Sequence, residues 1–358
     1  MKIVHTESSL GWGGQELRIL AESQGLARRG HQLALLCPLE ARIYAEAPNW
    51  GLRTVALPIA TKRLDGLSAL RGWLRANPCD VLSTHSSTDS WLSALAAIGM
   101  RVPIVRTRHI SAPVPRNVLT RWLYGRATRI VTTGEALKRG LVERTGVPAQ
   151  RIESVPTGAD PAVYSPGDKY AARLHLGLPK ETTLIGIVAT LRSWKGHRHL
   201  LQALPARAML VIVGDGPQRE ALEAQVRTSG IEGRVRFAGN QRDVVPWLQA
   251  LDIFALPSYA NEGVPQALLQ AMLAGLPCVT TNVGGIGELA VDGSTALVVP
   301  PESVAALGTA LERLMNDEAL RKTLGAAARQ HCIERFAYER MLDRMETIYR
   351  EAAAYLER

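Results

Sequence analysis

Residues Leu256 to Leu289 read LPSYANEGVPQALLQAMLAGLPCVTTNVGGIGEL. An acidic residue, Glu262, stands before a helical stretch whose second turn carries Gln270, and the helix runs into Ala-Gly-Leu-Pro, a short β run and a Gly-Gly turn. Pro265 suits the first helical position, where a missing N–H costs nothing, which puts Glu262, Gly263 and Val264 at the mouth of the helix. A helix N-terminus presents unpaired N–H groups and a partial positive charge, a natural seat for an anion such as a diphosphate. Gln270 then lies roughly 7 to 8 Å along the axis at about 1.5 Å per residue. A carboxylate at one end and an amide at the other can grip hydroxyls on both sides of a phosphate, which is the shape of a nucleotide sugar. Leu269, Met272 and Leu273 supply the core face of the same helix. Residues 263 to 287 hold no charge, yet their prolines, glutamines, Thr-Thr-Asn and glycines argue against a membrane span.

Outward from this stretch, the chain alternates apolar β runs with helical segments. In the first half the runs are Lys2 to His5, Leu33 to Cys37, Val81 to His85, Ile104 to Arg108 and Ile130 to Thr133, with helical stretches such as Gln15 to Arg29 between them. The second half repeats the pattern with Leu184 to Ala189, Met209 to Val213, Val235 to Ala238, Ile253 to Leu256, Cys278 to Thr281 and Ala296 to Val299. Such alternation predicts α/β architecture: two Rossmann-like, doubly wound parallel sheets in tandem. The turn-rich Val155-Pro-Thr-Gly-Ala-Asp-Pro-Ala-Val-Tyr-Ser-Pro166 reads as the linker. A length of 358 residues with 46% apolar content suits two ordinary α/β domains. MKIVHTE has no apolar leader, so the expected location is the cytoplasm. Four scattered cysteines (Cys37, Cys79, Cys278, Cys332) form neither a C-x-x-C pair nor a zinc pattern.

Charge is unevenly divided: residues 1 to 160 carry 21 basic and 12 acidic residues, a net +9, while residues 161 to 358 carry 21 of each. Within the first half, residues 101 to 144 hold ten basic and two acidic residues, interleaved with Val118, Leu119, Trp122, Leu123, Tyr124 and Leu141. That mixture suits a helix resting on an anionic membrane surface, the preferred reading, or a solvated helix face with ordinary core contacts. The aromatics follow no stacking pattern, so a nucleic-acid partner is not expected.

Ligands of doubly wound sheets bind at the C-terminal ends of the strands. His5, His85 and His109 each stand at such an end, where turn or capping roles compete with catalysis, and a three-histidine metal site is allowed by residue type alone. Gly11-Trp-Gly-Gly-Gln-Glu16 follows the first run, and its glycines let the backbone approach a ligand closely. Ala189-Thr-Leu-Arg-Ser-Trp-Lys-Gly196 follows the first run of the second half, where Lys195 and Arg192 can supply cations to a leaving diphosphate. Gly285-Ile-Gly-Glu-Leu-Ala290 can be read as the G-x-G-x-x-A of an NAD-dependent oxidoreductase, but it comes late in the second half instead of after a first strand.

Taken together, Glu262 with Gln270 resembles the E-x7-E segment of the GT-B glycosyltransferases of family 4, a retaining group. The resemblance implies two Rossmann-like domains facing a central cleft, residues 1–163 for the acceptor and 164–336 for the nucleotide-sugar donor. The C-terminal helix, from about Ala337 to residue 358, is expected to cross back onto the N-terminal domain. It implies that Glu262 contacts the transferred sugar and that Gln270, in place of the usual Glu, binds the donor ribose. Gly13, Gly14 and Glu16 match the family's G-G-x-E loop, with Glu16 on the acceptor side. His109 matches the histidine that approaches the transferred sugar, and His85 is its neighbour on the acceptor side. Lys195 matches the lysine that stabilises the leaving group. Thr190 stands where the family usually has Arg, which leaves two readings: Arg192 substitutes from two positions later, or the site works with one fewer charge. Gly214 and Gly216 in Val213-Gly-Asp-Gly-Pro217, and Phe237 and Gly239 in Val235-Arg-Phe-Ala-Gly-Asn240, match segments that line the nucleotide pocket, joined there by Gly263, Val264 and Pro265. The linker resembles P-N-G-V-D-x-x-x-F-x-P, with Thr157 replacing Asn. No D-x-D occurs, so the resemblance implies metal-independent transfer with no cofactor. The basic first half favours a lipid-linked or lipopolysaccharide-type glycan at the inner face of the cytoplasmic membrane as acceptor, with a soluble acceptor second. The departures at Thr190 and Gln270 leave open a nucleotide-sugar binding or regulatory protein on a decayed transferase scaffold.

Overall fold

A computed structural model describes residues 1–109, 114–260 and 262–355. The chain forms two compact units, one of residues 1–157 with 339–358, the other of residues 158–338. They divide between Thr157 and Gly158, ahead of the 163/164 boundary read from sequence, and again between Tyr338 and Glu339.

The first unit holds strands β1 (Lys2–Thr6), β2 (Gln32–Cys37), β3 (Arg53–Ala56), β4 (Val81–Thr84), β5 (Ile104–Arg108), β6 (Arg129–Thr132) and β7 (Ile152–Ser154). They lie in the order β3-β2-β1-β4-β5-β6-β7, every pair parallel. Alternation along a strand sends side chains to opposite faces: Leu35 and Cys37 enter one core cluster with Ile19, Leu20 and Ile43, while Leu36 enters another with Leu82, Ile104 and Ile130. Both faces are covered, so the strands are continuous apolar runs.

The C-terminal helix Tyr338–Ala354 contributes its larger part to this unit. Its buried residues Met341, Leu342, Met345, Ile348, Tyr349 and Ala352 recur every three or four positions, the stripe of an amphipathic helix. On its rim, Arg29 pairs with Glu339, Asp343 and Glu346. Beneath it, the Tyr349 hydroxyl donates to Glu22 Oε1 at 2.7 Å, and Glu22 Oε2 receives Arg18 Nε at 3.1 Å. Arg18 Nη1 also donates to the Val155 carbonyl, so the buried charges are held by a hydrogen-bonded network and not by one contact.

The second unit holds β8 (Thr183–Val188), β9 (Ala208–Val213), β10 (Val235–Gly239), β11 (Ile253–Leu256), β12 (Cys278–Thr281) and β13 (Leu297–Val299), in the parallel order β10-β9-β8-β11-β12-β13. Each apolar run read from sequence ends within one residue of a strand. Two strands were not anticipated, β3 and β7, and both are edge strands. Among the described residues, no helix is long and apolar enough to cross a membrane.

Candidate active site at two switch points

In a doubly wound sheet the ligand crevice forms where the strand order reverses direction, just beyond the carboxyl ends of the two central strands. In the second unit those strands are β8 and β11. The loop after β8 is fastened to its neighbours by backbone bonds: Ala189 N–H to Val213 O at 3.0 Å, Leu191 N–H to Asp215 O at 3.0 Å, and Tyr259 N–H to Trp194 O at 2.9 Å. Close approach makes the glycines obligatory. A Cβ on Gly196 (φ +78°) would sit 2.1 Å from Pro257 O, and one on Gly214 (φ +135°) 2.0 Å from Ala189 O. Gly216 likewise faces Leu191 O at 2.8 Å, whereas Gly239 has open space around its missing Cβ.

This packing delivers Lys195 to Glu262. Lys195 Nζ donates to Glu262 Oε1 at 2.7 Å and Oε2 at 2.9 Å, and Ser258 Oγ donates to Oε1 at 2.6 Å. The Glu262 side chain is 5% exposed against 20% for Lys195, so the carboxylate is held within and the ammonium reaches the surface. From behind, a Cβ on Gly284 (φ +59°) would lie 2.0 Å from Glu262 O, and Gly285 N–H donates to that same carbonyl. The Gly-Gly turn is therefore a backrest for the acid. That disposes of the dinucleotide signature: Gly285 and its neighbours lean on peptide, and the turn continues as the 3-10 segment Ile286–Glu288, not as an α-helix.

The helix after Glu262 runs Gln266–Leu273, with Pro265 at the N-cap (φ −72°, ψ 122°). Pro265 thus precedes the first helical position assigned from sequence; its carbonyl still accepts the first helical bond, from Leu269 N–H. The Val264 side chain belongs to the core, leaving only its backbone for a ligand, while Gly263 is half-buried. Gln270 is half-buried, and its Nε2 donates to the Tyr164 hydroxyl at 3.1 Å. Thr190 and Arg192 are exposed, and Arg192 lies over the Trp194 ring at 5.7 Å. The Phe237 ring carries the Arg219 guanidinium at 4.9 Å. Ser258 and Tyr164 are the site partners that residue patterns did not single out. Ser258 was detectable only as a hydroxyl one turn before Glu262, just past β11.

In the first unit the reversal falls between β1 and β4. His5 lies inside β1, not after it, while His85 follows β4 and His109 follows β5. Because β1, β4 and β5 are adjacent, the three rings form a chain: His5 Nδ1 to His85 Nε2 at 2.9 Å, and His85 Nδ1 to His109 Nε2 at 3.0 Å. Burial lowers the pKa of all three, so they stand neutral. The nitrogens address one another, not a common centre. Among the described residues, no group of three or more His, Cys, Asp or Glu is arranged to hold a metal ion. His85 therefore lies behind His109 in this chain; it is 4% exposed, whereas His109 is partly exposed.

Next to the histidines, Ser86 Oγ stands 2.7 Å from Glu7 Oε1, Asp89 Oδ1 and Ser8 Oγ. One hydroxyl proton cannot serve two carboxylates. Asp89 also receives the backbone N–H groups of His85 and Ser86 and the Thr6 hydroxyl, which fits the charged form. Burial raises the pKa of both acids, but the donors of Thr6, His85 and Ser86 hold Asp89 toward the anion, so the shared proton rests on Glu7, whose pKa burial and the nearby Asp89 raise to about 7. Gln15 and the Ser9 N–H tie Glu7 to the glycine loop, in which Gly13 is the N-cap of helix Gly14–Arg28 and Glu16, 4% exposed, sits in the first turn.

The basic segment 101–144, of which residues 110–113 lie outside the described residues, is not one surface helix. It contains β5, helix Val118–Arg126, β6 and most of helix Glu135–Thr145. Leu123, Tyr124 and Leu141 are core, and Arg106 is buried over the Tyr124 ring. Among the described residues of this segment, Val118 (79%), Leu119 (64%) and Trp122 (38%) are the exposed large apolar side chains, with Trp122 stacked on Trp91.

The sequence matches two family models, Glycosyltransferase Family 4 over residues 12–163 and Glycosyl transferases group 1 over residues 169–331. It is 29% identical over 349 residues to a 2-deoxystreptamine glucosyltransferase of Streptomyces kanamyceticus, covering 85% of this chain and 90% of that protein. It is also 29% identical over 390 residues to a D-inositol 3-phosphate glycosyltransferase of Corynebacterium aurimucosum, covering 95% and 91%. The fold is shared with a glycosyltransferase of Rickettsia africae at a TM-score of 0.89, with 19% identity and 98% of both chains covered. It is shared too with Anabaena HepE in complex with UDP-glucose, at a TM-score of 0.82 and 21% identity, covering 100% and 99%. With two tandem parallel sheets, a lysine-carboxylate pair at one switch point and family models over most of its length, this chain belongs to the GT-B glycosyltransferases of the family 4 type.

Proposed function

We propose that the enzyme transfers a sugar from a nucleotide-sugar donor, with retained anomeric configuration and without a metal ion, to a lipid-linked or lipopolysaccharide-type glycan. The observation that carries this is the Lys195–Glu262 pair at the β8/β11 switch point. A leaving diphosphate needs positive charge that is already oriented, and an ammonium, together with helix N-termini, supplies it without a metal. In the free enzyme Glu262 neutralises Lys195. An incoming diphosphate competes for the ammonium and frees carboxylate lone pairs for the hydroxyls of the donor sugar. Arg192, which lies over the Trp194 ring, adds a second cation in place of the Arg absent at Thr190. Gln270, steadied by Tyr164, takes the ribose, and the backbone at Gly214, Gly216 and Gly239 lines the nucleotide.

In the reaction the bond to the leaving phosphate lengthens through an oxocarbenium-like state. The acceptor hydroxyl attacks from the same face, and the departing phosphate oxygen takes its proton. His109 supports the ring hydroxyls. The lipid-linked acceptor, and peripheral attachment to the inner face of the cytoplasmic membrane, rest on Val118, Leu119 and Trp122 standing exposed beside the exposed Arg116, Arg121 and Arg126. A soluble cyclitol-type acceptor is the second possibility, favoured by the two relatives, whose names give 2-deoxystreptamine and inositol phosphate.

The test is a thermal-shift screen of nucleotide sugars in EDTA, then NMR of the product anomer made with the best donor. Stabilisation in EDTA and a retained anomer are expected; an inverted product or activity only with added Mg2+ or Mn2+ refutes the mechanism. Co-flotation with vesicles of 30% anionic lipid, lost in Trp122→Glu, separates the two acceptors.

A further inference from the structure

The three histidines constrain one another's protons. A neutral imidazole has one N–H and one lone pair, and each ring-to-ring bond needs one of each. His85 uses both nitrogens, so its proton goes either to His5 or to His109. If His85 Nε2 donates to His5, the proton of His5 is forced onto its Nε2, which is buried and has no partner among the described residues. If instead His5 donates through Nδ1, its Nε2 is left with only a bare lone pair. An orphaned buried N–H is the rarer of the two. Ser83 Oγ stands 3.4 Å from His85 Nε2, too long to reverse this choice, and its own proton is directed to Tyr349 Oη at 3.0 Å. The bonds therefore run His5 to His85 to His109. His109 Nε2 accepts, and its proton sits on Nδ1, which makes no hydrogen bond among the described residues.

We propose that His5 and His85 are positioning residues: they fix the tautomer of His109 so that it presents an Nδ1–H donor to a substrate hydroxyl. The proposal rests on the functional assignment of His109 to the donor sugar, but the tautomer itself is measured without substrate. Burial keeps the rings neutral at working pH, so the order of donors survives over the physiological range. At the far end His5 meets the Tyr349 ring edge-on at 6.2 Å, placing the C-terminal helix behind the chain.

The test is a long-range 1H–15N correlation spectrum of the full-length protein with 15N-labelled histidine at neutral pH, recorded for wild type and His85→Phe. The expected wild-type spectrum shows the His109 Nδ1 shift of a protonated nitrogen and the Nε2 shift of an unprotonated one. In His85→Phe the His109 signals move to a mixture of tautomers, and kcat/KM falls about tenfold, the loss of one oriented hydrogen bond. A wild-type His109 protonated on Nε2 overturns the proposal, and so does an Nδ1–H state that persists unchanged in His85→Phe. If His85→Phe does not fold, the wild-type spectrum decides alone. Full transferase activity in His109→Phe, beside the expected wild-type tautomer, removes His109 from the reaction while leaving the direction of the chain intact.

Discussion

The two switch points share one architecture and differ in their chemistry. At β8/β11 a lysine and a carboxylate meet at 2.7 Å, one reaching the surface and one buried. At β1/β4 the polar groups are three histidines bonded ring to ring, beside a carboxyl that shares its proton with a serine and an aspartate. Parallel sheets place side chains at the same end of both units; residue type then decides what each end can hold. Full charges suit a diphosphate, whose departure carries negative charge away. Neutral donors and acceptors suit hydroxyls, and charging any of the three buried imidazoles would carry a high desolvation cost.

Breaking the charged end has the largest expected effect. Lys195→Ala should lower kcat/KM by about 10²–10³, the usual loss when one oriented electrostatic contact to a developing anion is removed. The backrest comes next. Gly284→Ala places a methyl 2.0 Å from Glu262 O at φ +59° and should cost on the order of 3 kcal/mol in urea unfolding, with activity lost alongside. Gly14→Ala is its control: a Cβ there meets nothing within 4 Å at a helix start, and stability should stay within about 0.5 kcal/mol. A loss of activity in Gly14→Ala at unchanged stability would place a ligand against that glycine.

At the neutral end the expected signature is in pH. Glu7 has its native pKa raised from 4.5 to about 7. Below pH 4.5 both native and unfolded forms carry the proton and nothing is lost. Between about 4.5 and 7 the unfolded chain releases its proton and the native state retains it, so stability falls as pH rises and levels off above 7. The drop should be on the order of 2 kcal/mol in denaturant titrations at pH 5 and 8, and Glu7→Gln should flatten it. The smallest effect is at Gln270. Gln270→Glu should lower the donor KM about fivefold through a charge-assisted ribose bond, with Tyr164 then donating to the new carboxylate.

Sequence made the sheets legible because their buried strands are unbroken apolar runs: LVV, CVTT and IFAL can hardly be anything else between turn formers. β3 and β7, reading RTVA and IES, escaped because edge strands carry polar and exposed residues and lack the run. The positions of His85 and His109 at strand ends were legible, but their bonding was not. It depends on β1, β4 and β5 lying side by side, a property of strand order. The basic stretch 101–144 misled for a related reason: periodicity within one segment does not reveal that Leu123, Tyr124 and Leu141 turn inward against the sheet while Val118 and Leu119 stay out. Pro265 sits at the N-cap because its extended ψ of 122° ends the loop one residue before the helix begins.

The division between a charged end and a neutral end is open to one titration. UDP, or whichever of UDP, GDP and ADP gives the largest thermal shift, is titrated calorimetrically in EDTA into wild type, Lys195→Ala and His109→Phe. Wild type should bind without metal, Lys195→Ala should bind at least about tenfold more weakly, and His109→Phe should match wild type. Equal affinity in wild type and Lys195→Ala, or a comparable loss in His109→Phe, would contradict the assignment of the diphosphate to the Lys195–Glu262 end.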